Sequence, residues 1–180
     1  MIIKELRFEL LDDWLDFFEN RAFKDHDEWR GCYFTAFYYP KPEEFLCKSN
    51  RRKDYATWLI ETGRMCGYMA YENNKVVGWV NSNDKSKYPR LDSIQEEREK
   101  ILSIACFIVE KEHRGKGIAK KLLNKIIEDA KEKGYSIIEA YPKKGAKSEY
   151  GRWNGPFEMY MKSGFSEYEI GKNKVVRKYI

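Results

Sequence analysis

The chain has 180 residues, a net charge of +5, and 42% hydrophobic and 16% aromatic side chains. That length suits one domain with a substantial core, and the aromatic content excludes a disordered chain. Acids and bases are interspersed without the clustered basic face of a nucleic-acid binder, and no apolar run approaches the ~20 residues needed to cross a membrane.

The start, MIIKELRFELLDDW, is broken by charges and lacks the apolar stretch of a signal peptide. Cys32, Cys47, Cys66 and Cys106 show no C-x-x-C spacing, and His26 and His113 are the only histidines. Reduced thiols in a cytoplasmic protein without a metal are therefore expected.

In chain order, Ile2 to Glu9 alternates loosely and is predicted as an edge strand. Asp12 or Asp13 can cap a helix whose Leu11, Trp14, Leu15, Phe18 and Ala22 share one face. The aromatic stretch Trp29 to Tyr39 reads either as core, in strand form, or as the wall of an acceptor pocket. Pro40 and Pro42 end it. Glu43 to Lys48 suggests a helical turn, and Arg51 to Thr62 a helix carrying Tyr55, Trp58 and Leu59. Cys66 to Tyr71 and Lys75 to Val80 flank Asn73-Asn74, a pair that tolerates positive φ, so a hairpin is predicted. Asn81 to Lys100 is polar and is read as a loop with a helical turn near Glu96 to Glu99.

Ile101 to Val109 has one polar residue, Ser103, and fits a strand buried on both faces. After four charged or titratable residues comes Arg114-Gly115-Lys116-Gly117-Ile118-Ala119. Ile118, Ala119, Leu122, Leu123, Ile126, Ile127 and Ala130 then repeat with helical period, and Gly134 suits a left-handed C-terminal cap. The first N–H groups of such a helix lack internal partners and carry partial positive charge. No acid occupies its first turn, whereas Arg114, Lys116, Lys120 and Lys121 surround it. Two glycines let a bulky anion approach the backbone, so the missing negative charge is expected from a ligand. Neither G-x-G-x-x-G nor a Walker A motif is present.

Ser136 to Tyr141 is predicted as a strand closed by Pro142. Lys143 to Gly155 is loop-like. Pro156 suits the first turn of a helix over Phe157 to Ser163 that stops at Gly164. Phe165 to Ile170 and Lys174 to Ile180 complete an antiparallel pair.

Arg114 to Ala119 resembles the Arg/Gln-x-x-Gly-x-Gly/Ala signature of the GNAT acetyltransferase superfamily. Tyr160-Met161-Lys162-Ser163-Gly164-Phe165 resembles its second signature, a Tyr on a short helix ahead of Gly-Phe. The resemblance implies an α/β (α+β) fold with a mixed central sheet of about six to seven strands, helices on both faces and a splayed strand pair holding CoA. It implies one domain over 1–180, with 66–180 as the CoA-binding core and 1–65 as the variable acceptor side.

The same resemblance implies that the backbone of Phe107, Ile108 and Val109 bonds the pantetheine arm and thioester. It implies that Arg114, Gly115, Lys116, Gly117, Ile118 and Ala119 hold the pyrophosphate. Asn154 falls near a CoA-contacting Asn of the family, one residue closer to the Tyr than is common. Tyr160 aligns with a general acid for the departing thiolate. Glu110, at the strand's exit, and Glu139, flanked by apolar residues, are the two candidate bases. Cys106 lies inside an apolar strand with no basic neighbour there and is read as structural. The implied activity is an acyl-CoA-dependent N-acyltransferase moving acetyl from acetyl-CoA to an amine of a small molecule or peptide, as monomer or homodimer. The alternative is a CoA-binding sensor or regulatory module without turnover.

Overall fold

The computed structural model describes residues 1–39, 51–91, 99–146, 153–170 and 173–180. Seven strands form one sheet: β1 Ile2–Glu5, β2 Gly67–Glu72, β3 Lys75–Asp84, β4 Ile101–Val109, β5 Ile137–Ala140, β6 Ser166–Ile170 and β7 Asn173–Tyr179, in the order β1-β2-β3-β4-β5-β7-β6. Every neighbouring pair is antiparallel except β4 and β5. A parallel pair needs a long crossover, and the helix of the glycine unit supplies it.

Among the described residues four α-helices accompany the sheet: α1 Leu11–Asn20, α2 Arg52–Glu61, α3 Ile118–Glu132 and α4 Phe157–Met161. Their apolar stripes divide the core in two. Trp14, Phe17 and Phe18 of α1 and Leu59 and Ile60 of α2 pack with Met69, Trp79 and Ile108 on one side. Leu122, Leu123 and Ile126 of α3 and Tyr160 of α4 pack with Val80, Ile104 and Ile138 on the other. Helices therefore cover both faces. The entry of α3 lies close to β3, because a Cβ placed on Gly78 would stand 2.8 Å from Ile118 Cγ2. Glycine at 78 is what permits the approach.

Several sequence expectations change. β1 is an edge strand but ends at Glu5, where a short 3-10 turn over Phe8–Leu10 leads into α1. Neither Asp12 nor Asp13 caps α1; its cap is Leu10, without a side-chain bond, and both acids sit in the first turn, where the dipole favours them. Asp13 instead accepts a bond from Tyr71 Oη at 2.8 Å. The aromatic stretch is not a strand. It forms 3-10 turns at Asp27–Trp29 and Thr35–Tyr38, with left-handed Tyr33 (φ 44) and Phe34 (φ 48) between them. Phe34 and Tyr38 are buried core, while Trp29 stays half-buried beside it.

The hairpin is present, with Asn73 at φ 50 and Asn74 at φ 60. Its second strand runs four residues past the predicted end. Asn81, Ser82 and Asn83 looked like loop, yet they pair with β4 and are buried, with Asn81 Oδ1 and Asn83 Nδ2 hydrogen-bonded there. Tyr38 and Tyr88 both donate to Asn81 Oδ1, at 3.0 and 2.6 Å, and Asn83 Nδ2 donates to Arg64 C=O at 2.7 Å. Pro156 occupies the N-cap of α4 rather than its first turn.

The predicted turn at Glu43 to Lys48, most of that at Glu96 to Glu99, and Cys47 lie outside the described residues. Cys32, Cys66 and Cys106 are free thiols. β1 pairs with β2, so the sheet crosses the expected divide at residue 65. Among the described residues, no helix is long and apolar enough to cross a membrane.

Candidate active site

The site begins with an irregularity in β4. Asn81 pairs with Cys106 but Ser82 pairs with Ile104, so Ala105 is an extra, unpaired residue. Such a bulge bends its strand and shifts the phase of the side chains. Leu102 and Ile104 join the α3-side core, Ala105 and Cys106 both join the α1-side core, and Phe107 returns to the first. The parallel pairing with β5 also ends here, at Ile104 against Ala140. Beyond it β4 runs on to Val109 with one edge that no strand of the described residues pairs with.

That edge carries a distinct set of bonds. Phe107 N–H donates to Trp153 C=O at 2.7 Å. Asn154 Nδ2 donates to Ala105 C=O at 2.7 Å, and Arg114 Nε to Val109 C=O at 3.0 Å. Glu110 N–H turns inward to Val77 C=O, at 3.0 Å. By alternation the Val109 N–H points outward, and among the described residues no backbone carbonyl takes it.

The free edge and the entry of α3 enclose a cavity of about 440 Å³. Of the predicted ligand-holding residues, Phe107, Ile108 and Val109 form one wall, and Arg114, Gly115, Gly117, Ile118 and Ala119 form the turn at its mouth. Gly115 and Gly117 have φ of +75° and +77°, and a Cβ added at either would meet nothing within 4 Å. Here glycine is required by conformation, while the space above it is open. Gly117 caps α3, whose first turn holds no acid. Lys116 is exposed on the turn and does not line the cavity.

Sequence reasoning missed Trp153 and Met159, which line the cavity; Trp29 lines it as part of the stretch offered as a pocket wall, and Lys120, expected only as a basic neighbour of the turn, lines it and donates to Ser163 Oγ at 2.6 Å. The aromatic spacing around Trp29 was the available signal. Trp29 and Trp153 meet edge to face at 4.8 Å, an arrangement that no local pattern announces.

Tyr160 is fully buried behind this wall, against Phe107 and Phe165 at centroid distances of 6.4 and 5.2 Å. Its hydroxyl donates to Asn154 C=O at 2.6 Å. Burial pushes the phenol well above its ordinary pKa, with the neighbouring Cys106 adding to the rise. It holds its proton at any working pH. It does not line the cavity, and its hydroxyl must leave Asn154 to reach a ligand there.

The two candidate bases are placed very differently. Glu139 has no exposed surface and is clasped by Lys85 Nζ at 2.8 Å, Tyr141 Oη at 2.6 Å and Arg177 Nε at 2.7 Å. Burial alone would raise its pKa, but bonds from Lys85, Tyr141 and Arg177 outweigh that and hold the carboxyl below its usual range. Its lone pairs are taken, so it is a poor base and a good anchor between β5 and β7. Glu110 sits 3.2 Å from Lys24 Nζ and 3.1 Å from His113 Nδ1. It borders a second cavity of about 300 Å³, and His113 lines both cavities. Cys106 is fully buried and its thiol is pushed up by burial, which leaves it unreactive. Among the described residues no group of His, Cys, Asp or Glu could hold a metal ion.

Comparison with known proteins yields one family: the acetyltransferase (GNAT) family model matches residues 7–155. An uncharacterized N-acetyltransferase of Methanocaldococcus jannaschii is 28% identical over 153 residues, which cover 82% of this chain and 59% of that protein. Human N-acetyltransferase 8B is 38% identical over 82 residues, or 46% of this chain and 33% of that protein. The chain thus matches roughly a third to three fifths of the length of these curated relatives. Among solved structures, a polyamine N-acetyltransferase of Drosophila melanogaster aligns over 99% of both chains with a TM-score of 0.59 at 10% identity. The PaiA N-acetyltransferase of Thermoplasma acidophilum in complex with coenzyme A aligns over 100% of both, with a TM-score of 0.55 at 17% identity.

Proposed function

The chain belongs to the acetyltransferase (GNAT) family, and from that footing we propose that it is an N-acetyltransferase that moves acetyl from acetyl-CoA directly to an amine of a small molecule or peptide. The observation that carries this reading is the strand-free edge of β4 leading straight to an acid-free helix entry through two open, left-handed glycines. An extended arm bearing amides fits the first, and a pyrophosphate fits the second.

When bound, acetyl-CoA supplies the acyl group already activated as a thioester. The chain's own residues then have four tasks. The turn from Arg114 to Ala119 and the first N–H groups of α3 receive the pyrophosphate, with Lys116 and Lys120 adding charge. The outward N–H of Val109 and the carbonyl of Phe107 pair with the arm. The Phe107 N–H, once Trp153 C=O yields it, stabilises negative charge on the thioester oxygen, usually the largest catalytic contribution. Tyr160, released from Asn154, donates its proton to the departing sulfur. Burial favours the neutral phenol, so Tyr160 carries the proton it would donate, and direct contact with the sulfur is required for the transfer.

Glu139 is better assigned to structure than to catalysis. Glu110 is the remaining carboxylate, and its link to the cavity passes through His113. The acceptor is the open term: the Drosophila neighbour forms N-acetylagmatine, whereas another neighbour is a ribosomal-protein-alanine N-acetyltransferase of Brucella melitensis. Thioester consumption measured across a panel of polyamines, amino acids and N-terminal peptides tests the reading. Consumption with one acceptor class supports it, and tight acetyl-CoA binding with no turnover on any amine would favour a sensor instead.

A further inference from the structure

The segment that follows α1 contacts the β4 exit and the glycine turn after it through two adjacent charges of opposite sign. Lys24 Nζ stands 3.2 Å from Glu110 Oε1. Asp25 holds Arg114 in a two-pronged pair, Nη1 to Oδ2 at 2.6 Å and Nη2 to Oδ1 at 3.2 Å. Both prongs together fix the plane of the guanidinium, which a single contact does not. The third side of Arg114, Nε, reaches back to Val109 C=O at 3.0 Å. Asp25 is 89 residues from Arg114 in sequence, and its side chain is only 11% exposed. Directly after it, His26 stacks on Trp29 at 3.6 Å, and Trp29 is a wall of the cavity.

We infer that Asp25 is a positioning residue for the cofactor phosphates: through Arg114 it fixes the Gly115–Gly117 turn and ties that turn to the Trp29 wall. The inference rests on the acyl-CoA reading given above. Arg114 then acts as a strut and not as the direct phosphate cation. Its charge is matched by a carboxylate, and its fork and its Nε are oriented toward Asp25 and the β4 exit. The anion is left to backbone N–H groups and to Lys116 and Lys120. A glycine turn has many accessible conformations, so a strut at its first residue removes entropy that binding would otherwise have to remove.

The two roles of Arg114 predict opposite outcomes for one substitution. If Arg114 contacts phosphate, removing the Asp25 charge frees the guanidinium and tightens CoA binding. If Arg114 is a strut, the same change loosens the turn and weakens binding. The experiment is calorimetric titration of CoA and of dephospho-CoA into the parent, Asp25→Asn, Asp25→Glu, Arg114→Asp and the exchange D25R/R114D, with a melting curve for each. We expect Asp25→Asn to weaken both ligands by about tenfold and equally, since both carry the pyrophosphate. Asp25→Glu should retain most of the affinity, and the exchange should bind more tightly than Arg114→Asp alone. In turnover, KM for acetyl-CoA should rise while kcat stays near the parent value, a split that a loss of stability alone does not produce. Asp25→Asn binding CoA as tightly as the parent, or more tightly, overturns the inference, as does an exchange variant no better than Arg114→Asp. A parent that binds neither CoA nor dephospho-CoA overturns the acyl-CoA reading itself, before any variant is compared.

Discussion

The two halves of β4 are built from the same kind of residue and have opposite roles. Ile101 to Ile104 is flanked by strands on both edges, β3 and β5, and Ser103 Oγ adds a bond with Tyr141 Oη at 2.9 Å. From Ala105 on, β3 continues on one edge while the other, among the described residues, meets Trp153, Asn154, Arg114 and a cavity. Both halves are buried and apolar. What separates them is the place where β5 leaves, and with it whether that edge's backbone amides are consumed by the sheet or left facing the cavity. A change in the first half should cost stability, and a change around the second should cost binding or rate.

Tyr160→Phe, behind the open half, carries the largest expected effect. The ring keeps its packing, so turnover should fall ~10²–10⁴-fold while stability drops by ~1 kcal/mol for the lost bond to Asn154. Single-turnover measurement separates chemistry from product release. A reaction within about threefold of the parent returns Tyr160 to the core.

The closed half is tested through its partner strand. Glu139→Ala strands Lys85 and Arg177 without their shared carboxylate and should cost about 3–5 kcal/mol in chemical denaturation. Acetyl-CoA affinity of the folded variant should be unchanged; a loss of affinity would blur the division between halves. Because the Glu139 pKa lies below its unfolded value, its contribution is complete above that value, ~4.3, and fades as pH falls through the lower folded one. Glu139→Gln should therefore flatten the acid limb of the stability profile.

Gly117→Val acts on the anion turn alone. At φ +77° the new side chain strains the backbone by ~1–3 kcal/mol and fills the open space over the turn. Saturating acetyl-CoA, which at 100 times its Kd should stabilise the parent by about 2.7 kcal/mol, should no longer move the variant's melting temperature. Retained ligand stabilisation would make Gly117 a turn residue only.

Asn154→Ala has the smallest expected effect. Its Nδ2 is already committed to Ala105 C=O, so the loss should be ~1 kcal/mol of stability with acetyl-CoA affinity unchanged. A marked fall in affinity would restore Asn154 as a direct ligand contact and extend the binding edge to the segment beside it.

Much of this was legible in the amino-acid order. Ile101–Val109 matches the sequence expectation to the residue, and α3 carries the expected apolar stripe after the glycine turn, because an apolar run, a glycine pair and a helical stripe are each local signals. The β3 extension was not legible, since Asn81, Ser82 and Asn83 are polar, and the bonds that Asn81 and Asn83 make with Tyr38, Tyr88 and Arg64 come from residues outside the strand. Local propensity likewise favoured a strand for the aromatic stretch. Packing against α1 and the segment after it, with Phe18 and Phe34 at 5.8 Å and Phe23 and Phe34 at 6.2 Å, accompanies tight turns instead.

The sequence by itself determined the unit of strand, turn and helix, and the two signatures by which the family can be read. Those depend on backbone periodicity and on glycine conformations, which neighbours along the chain dictate. Only the tertiary structure decided that Ala105 is the extra residue, that β5 parts from β4 there, and that Asp25 braces Arg114. Each of these is a choice among long-range pairings of similar local energy, and it is settled by which edges and charges the whole fold brings together.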